Sequence, residues 1–331
     1  MLTPQSNTTL TEIAQRLNEF QTFAICGHVN PDGDCLGSQL ALYHALVSKG
    51  KDVVCLLAKD DPLSEDFMFL PGIETMIPAQ EYTDTPDVFI AVDVPTRERM
   101  KDAAPCAERT AFTITIDHHA NPEAVSLLNY VDPDSPSASL LIWKLVKEMD
   151  AQSQEVALCA LTGLITDTGR FSFQNTTPEA FIAAAEMVEM GASLSLISNE
   201  VFQSRSLPSL LLERIVLDRL SLSCDGKFSF SYLSLEDFET CKATKADAEV
   251  LIDTLRGIRG VQVALILKES TDNEVRGSLR AKDDTDVSVV ARLYDGGGHK
   301  AAAGFTFKGT LDEAVAEVPE AVRKYCFGLE E

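Results

Sequence analysis

Seven consecutive residues, His28-Val29-Asn30-Pro31-Asp32-Gly33-Asp34, put one imidazole and two carboxylates directly after a short apolar run. An isolated Asp-Gly-Asp is ordinarily a solvated turn, but this one has companions further along. Asp93 ends a second apolar run, Asp117-His118-His119 ends a third, and Asp167 stands among threonines and glycines. Divalent manganese or magnesium favours oxygen donors, and imidazole tilts the choice toward manganese or another transition ion. His28, Asp32, Asp34, Asp93, His118 and Asp167, with His119 as a further candidate, supply donors enough for two such ions. The four aspartates carry a charge that two divalent ions neutralise. Ions ~3.5–4 Å apart can deprotonate a bridging water and stabilise both the entering and the leaving oxygen at phosphorus. The chemistry expected here is therefore metal-dependent hydrolysis.

The elements that must position these residues are legible as an alternation. Thr22–Gly27, Asp52–Leu57, Asp87–Val92 and Phe112–Ile116 read as strands rich in Val, Ile and Phe. Between the first two, Gly37–Lys49 has helical spacing and stops at Gly50. Such alternation predicts a doubly wound, mainly parallel α/β sheet, which binds ligands beyond the carboxyl ends of its strands. His28, Asp93 and Asp117 each fall at such an end. Helices are expected over Ala138–Met149, Gln154–Ile165 and Pro178–Met190, the last started by Pro178 and stopped by Gly191. His44, inside an apolar helix, reads as structural, and Asn121-Pro122 as a turn.

After a polar, punctuated stretch, Ala192–Ser206, comes a helix over Leu207–Leu222. Residues 1–191 then form one domain, 192–222 a linker with its connecting helix, and 223–331 a smaller α/β domain. That domain is expected to have strands at Lys227–Leu233, Gly260–Lys268 and Glu274–Ala281, with a helix near Lys245–Arg256. Strand alternation puts Arg276, Ser278 and Arg280 on one face, a cradle for a phosphate. Gly296-Gly297-Gly298-His299 adds a run whose N–H groups an anion can approach, with a helix N-terminus expected to follow.

Composition narrows the substrate. The 331-residue chain carries a net charge of −23, with no basic surplus for coating long nucleic acid. Short or small anionic substrates, held by metal ions and a few placed cations, fit better. The start MLTPQSNTTL lacks a basic n-region and an apolar h-region, and no apolar run approaches the ~20 residues that span a bilayer. Eight scattered cysteines never form a C-x-x-C pair. A cytoplasmic protein with reduced thiols and no membrane partner is the expectation.

Taken together, H-x-N-P-D-G-D, the isolated Asp93, Asp117-His118-His119 and Asp167 in T-D-T-G resemble the four motifs of the DHH phosphoesterases. The resemblance implies that His28 and Asp32 hold one divalent ion, that Asp34, His118 and Asp167 hold the other, and that Asp93 bridges both. The ions would be manganese first, with magnesium or cobalt as alternatives. Asp117 would orient its histidine neighbour, and His119 would face the scissile phosphate. The R-x-S-x-R strand and the G-G-G-H segment resemble a DHHA1 domain, which implies that Arg276, Ser278, Arg280, Gly296, Gly297, Gly298 and His299 bind the nucleotide part of a substrate across a cleft. Tyr294-Asp295 departs from the apolar-Gly pair frequent in relatives. The pairing is similar to the NrnA-type oligoribonucleases and 3′-phosphoadenosine 5′-phosphate phosphatases, among which homodimers are common. Cyclic or linear diadenylate hydrolysis is the alternative activity, and a nucleotide-binding sensor the non-enzymatic one. A family II pyrophosphatase would need a lysine-rich clamp, and a RecJ-type exonuclease a further DNA-binding domain.

Overall fold

The computed structural model describes residues 6–120 and 124–329, so the turn expected at Asn121-Pro122 lies outside the described residues. The chain divides into two compact units, Met1–Ser204 and Arg205–Glu331.

The first unit is built on six parallel strands: β1 (Thr22–Cys26), β2 (Asp52–Leu57), β3 (Ile77–Pro78), β4 (Val88–Val92), β5 (Phe112–Asp117) and β6 (Leu128–Val131), in the order β3-β2-β1-β4-β5-β6. Its helices are α1 (Leu10–Glu19), α2 (Gly33–Ser48), α3 (Ala104–Arg109), α4 (Ala138–Glu148), α5 (Gln154–Asp167), α6 (Pro178–Glu189) and α7 (Leu194–Ile197). Every residue of β4 is buried because both faces of the sheet are covered. On one face Leu17, Leu36, Leu40, Leu140 and Leu164 pack on Ile25, Ile90 and Ile114. On the other, Met100, Ala103 and Cys106 pack on Ala24, Phe89 and Ala91. The strand order reverses between β1 and β4, the point where a doubly wound sheet opens a crevice at its carboxyl edge.

Two boundaries differ from the periodicity. Helix α2 begins at Gly33 rather than Gly37, because Asp32 caps it: Asp32 Oδ1 accepts from the N–H groups of Asp34 (3.1 Å) and Cys35 (3.0 Å). Helix α5 runs two residues past Ile165 to end on Asp167, and Gly169, Arg170 and Phe171 follow with positive φ. Helices α2 and α5 cross closely, since a Cβ at Gly37 would stand 2.5 Å from the Cys159 carbonyl. Helix α6 starts on Pro178 behind the Thr177 cap, and Gly191 follows with φ 102°. The stretch expected to be irregular contains α7 and a π-helical turn, Ser198–Gln203, started by the Ser193 cap and anchored by buried Ile197.

The second unit holds β7 (Ser221–Ser223), β8 (Phe228–Leu233), β9 (Val263–Thr271), β10 (Glu274–Ala281), β11 (Gly297–His299) and β12 (Ala302–Lys308), in the order β11-β12-β10-β9-β8-β7. All neighbours are antiparallel except β8 and β9. Its helices are α8 (Leu207–Asp218), α9 (Leu235–Cys241), α10 (Leu251–Gly257), α11 (Ser288–Leu293) and α12 (Leu311–Phe327). One face of the sheet buries Leu265, Val275, Leu279 and Phe305 against Val290, Ala314, Val318 and Val322 of α11 and α12. The other packs Ala264 and Ile266 of β9 against Leu212, Val216, Leu251 and Leu255 of α8 and α10. Strand β9 starts at Val263 because Gly260 takes φ 89°, and the expected helix near Lys245 splits into a 3-10 turn, Ala246–Ala248, and α10.

Candidate metal centre

The carboxyl edge of the first sheet gathers the residues singled out by the sequence. His28 follows β1, Asp93 follows the adjacent β4, and Asp117 closes β5. Asp32 and Asp34 open α2, and Asp167 closes α5. Asp93 sits at the centre with φ 57°, held by its N–H donating to the Ile116 carbonyl at 3.0 Å. Its two oxygens face opposite ways: Oδ2 lies 3.4 Å from His28 Nε2, and Oδ1 lies 3.5 Å from His118 Nε2. His28 Nε2 is also 3.8 Å from Asp32 Oδ1, and His118 Nε2 is 3.7 Å from Asp34 Oδ2 and 3.5 Å from Asp167 Oδ2. The cluster thus forms two groups sharing one carboxylate: His28, Asp32 and Asp93, and Asp34, Asp93, His118 and Asp167.

Two of these donors are oriented from behind by backbone groups. Asp34, 1% exposed, accepts from the N–H groups of Ala138 (2.7 Å) and Ser139 (2.9 Å) in the first turn of α4. His118 Nδ1 faces the Ser135 carbonyl at 3.2 Å. Asp117 Oδ1 binds His119 Nδ1 at 2.9 Å and accepts from the His118 N–H at 2.8 Å, so its side chain orients the ring of His119 and only the backbone of His118. His44, as expected, is structural, with Nε2 2.8 Å from the Pro71 carbonyl.

Charge at the centre is out of balance without a cation. Burial alone would push His28 down, but its hydrogen bond to Asp93 and the charges of Asp93 and Asp32 raise it to about 9. His118 is likewise raised well above the usual imidazole range, against its burial, by Asp93, Asp34 and Asp167. Asp34 is held well above the carboxylate range by burial first and then by Asp93 and Asp167, and Asp167 rises to about 6 through burial and its aspartate neighbours. Asp93 falls despite burial, because both imidazoles stabilise its charge. Its Oδ1, 3.5 Å from His118 and from His119, is buried without a hydrogen-bond partner among the described residues. An orphaned buried carboxylate oxygen between two imidazoles, in a set of oxygen and nitrogen donors, fits a divalent cation.

In the second unit Arg276, Ser278 and Arg280 share one face of β10, as the alternation predicts. Their cross-strand neighbours on β12 are Thr306, Gly304 and Ala302. Arg280 donates to the Leu279 carbonyl at 3.0 Å, and burial lowers its pKa. Among the described residues neither arginine has a carboxylate within ion-pair distance.

The glycine run departs from expectation. Gly297–His299 is an edge strand paired with β12, and no helix N-terminus follows it. Two of the glycines are required by the tight return: a Cβ at Gly298 would stand 2.6 Å from Ala303 Cα, and one at Gly296 2.5 Å from Phe305 Cβ, whereas a Cβ at Gly297 would meet nothing within 4 Å. Sequence reasoning also missed Ser135, Ala138 and Ser139, which act through backbone groups, and Arg99, whose Nη2 lies 3.1 Å from His28 Nδ1.

The family model for the DHH family N-terminal domain matches residues 22–164, and that for the DHHA1 domain matches residues 229–326. The chain is 31% identical over 311 residues to a Thermus thermophilus protein named bifunctional oligoribonuclease and PAP phosphatase NrnA, covering 91% of this chain and 89% of that one. A Bacillus subtilis protein of the same name is 28% identical over 300 residues, with 89% and 92% covered. Among solved structures, an exopolyphosphatase-related protein from Bacteroides fragilis superposes with a TM-score of 0.89 at 27% identity, covering 97% of each chain.

Proposed function

The chain belongs to the DHH family of phosphoesterases, in the form that carries a DHHA1 domain, and from that premise we propose that it hydrolyses short oligoribonucleotides to mononucleotides and 3′-phosphoadenosine 5′-phosphate to AMP. The observation that carries the reading is the double-faced Asp93, with an imidazole and further carboxylates on each side. His28, Asp32 and Asp93 would hold one divalent ion, and Asp34, Asp93, His118 and Asp167 the other, with manganese favoured by the two imidazoles. When bound, such a pair supplies an activated water and charge stabilisation at phosphorus.

The protein groups do the rest. The carbonyl of Ser135 and the N–H groups of Ala138 and Ser139 fix His118 and Asp34, so the donor set is organised before substrate arrives. Asp117 fixes the His119 ring and, against the effect of burial, raises its pKa, which keeps a proton at hand for the leaving oxygen. Arg276, Ser278 and Arg280, with Gly296–His299 at the sheet edge, would hold the nucleotide part. The names of the Thermus and Bacillus relatives support short substrates, as does the net charge of −23. We place the enzyme in the cytoplasm; its eight cysteines are all free thiols, and among the described residues no single helix is long and apolar enough to cross a membrane.

The test is a rate panel with manganese present, comparing 3′-phosphoadenosine 5′-phosphate, RNA dimers to pentamers, linear diadenylate and a long single strand. Turnover of the bisphosphate and the short RNAs well ahead of the long strand is expected. Preference for the long strand, or turnover of diadenylate alone, would overturn the assignment.

A further inference from the structure

The face of β10 that carries Arg276, Ser278 and Arg280 continues onto β9. Arg276 stands directly opposite Lys268 on that strand and opposite Thr306 on β12, so side chains of three strands share one row. By strand alternation Lys268 lies on the same side as Ala264 and Ile266, which pack against α8 and α10. It sits one row beyond those apolar residues and is only 8% exposed. Its ammonium donates to Glu249 Oε1 at 2.7 Å, the sole hydrogen bond it makes among the described residues. The charge of Glu249 also acts on Arg280, further along the same face.

Two features leave this row incomplete. Like charges directly opposite on neighbouring strands, with Cβ atoms ~4.5–5.5 Å apart, destabilise a sheet. Here an arginine and a lysine are so placed, and Arg276 has no ion pair among the described residues. An ammonium also carries several N–H donors and accepts nothing, so a buried one needs more than one acceptor. Lys268 has one, from a carboxylate whose side chain is 68% exposed. Glu249 closes the 3-10 turn Ala246–Ala248 ahead of α10, and its carboxylate makes no other hydrogen bond among the described residues. A carboxylate held by one contact and lying mostly in water is released at little cost. A phosphate monoester carries more charge than a carboxylate and a further terminal oxygen, enough to accept from Lys268 and Arg276 together.

We propose that Lys268 is a phosphate-binding residue of the nucleotide site and that Glu249 is its stand-in anion: in the empty protein Glu249 occupies the ammonium, and a phosphate group bridging Lys268 and Arg276 displaces it. The inference rests on the reading of β10 as the nucleotide-binding strand and adds to it a further cation and a competing carboxylate. Glu249 thereby favours phosphorylated ligands, since a neutral nucleoside leaves it in place.

Calorimetry of AMP binding to the whole protein, chelated so that the metal centre adds nothing to the signal, tests this with Lys268→Met, Glu249→Gln and the double variant. Lys268→Met keeps the buried stem and removes the ammonium, and should weaken AMP about ten-fold, the loss of one charge-assisted hydrogen bond. Glu249→Gln should tighten AMP about three-fold, because the competing charge is gone. In the double variant the glutamine should have no further effect, since no ammonium is left to compete for. Affinity within two-fold of wild type in Lys268→Met would overturn the proposal. So would Glu249→Gln binding AMP no tighter than wild type, or a tightening that persists in the double variant, which would reflect only the local field. Glu249 is exposed, so its variant carries the test if Lys268→Met does not fold. No AMP binding by the wild type, or unchanged affinity in Arg280→Ala, would instead remove β10 from nucleotide binding. A loss in Arg280→Ala with none in Lys268→Met sinks the present proposal alone.

Discussion

Stripping the metal should turn the centre into a pH-dependent source of stability, with a sign that the geometry fixes. In the chelated protein His28 is raised to about 9 by Asp93 and Asp32 and is almost fully buried, so its proton is held far more tightly than in the unfolded chain, where an imidazole titrates near 6.5. A group whose pKa is raised on folding contributes stability that is complete below the unfolded value and is lost as pH climbs through the folded one. Between pH 6.5 and 8, His28 alone should therefore remove about 1.5 kcal/mol. His118, His119 and Asp167 are raised as well and push in the same direction. Unfolded thiols titrate near 8.5, so they too begin to lower stability by pH 8, and the comparison with the manganese-loaded protein, in which they contribute equally, isolates the imidazole effect. The assay is urea unfolding after exhaustive chelation, compared with the manganese-loaded protein. The chelated protein should lose at least about 1 kcal/mol over that window. The loaded protein should gain relative to it, because ligation displaces the same protons and manganese affinity rises with pH. A chelated protein as stable at pH 8 as at pH 6.5 would refute the reasoning, since it would mean that His28 is not held charged between Asp93 and Asp32.

Asp34→Asn and His118→Ala each remove a donor from the same group, and hydrolysis should fall to background while the thermal transition is retained; near-normal turnover of either variant with manganese would contradict the assigned ligand set. Arg280→Ala should raise KM for nucleotide substrates at least about ten-fold, the loss of a charge-assisted hydrogen bond, and leave bis-p-nitrophenyl phosphate little affected. Equal loss on both substrates would remove the second unit from nucleotide binding. Gly163→Ala puts a methyl group 2.8 Å from Asp34 Oδ1 and 2.7 Å from Ser139 Cβ, so it should cost ~1–3 kcal/mol of overpacking and reduce manganese stoichiometry, read by urea unfolding and metal analysis.

The four central strands of the first sheet were legible because they are largely buried and read as apolar runs, as in Val88–Val92, whereas the short, half-buried edge strands β3 and β6 carry no such run and were not. The carboxyl edge of the sheet was legible for the same reason, since a charged residue ending such a run must lie at its end. What periodicity misplaced lies where a side chain performs two tasks. Helix α2 starts four residues early because Asp32 caps it, and a capping aspartate carries no apolar signal. The glycine run reads from sequence as an anion-binding loop, yet its spacing against Gly304 and Phe305 is that of a tight hairpin return. A run of glycines permits both, and only the partner strand decides.

The proposed ligands could be named from the sequence and their supports could not, for a physical reason. Metal donors must be particular side chains, so His28, Asp34, Asp93, His118 and Asp167 announce themselves by type. The groups that aim them are the Ser135 carbonyl and the Ala138 and Ser139 N–H groups, which any residue could supply. Backbone support leaves a trace only through the element that presents it. Here that element is the Ser137 cap, whose side chain accepts from Leu140 and starts α4 where its first N–H groups meet Asp34. The dependence runs both ways. Asp34 is buried at a helix N-terminus, where the positive end of the helix favours a carboxylate even as burial and neighbouring charges oppose its ionisation. The same contact that seats Asp34 would thus help keep it ionised for a cation, and through the cap that places those N–H groups Ser137 would support the proposed site without touching a donor atom.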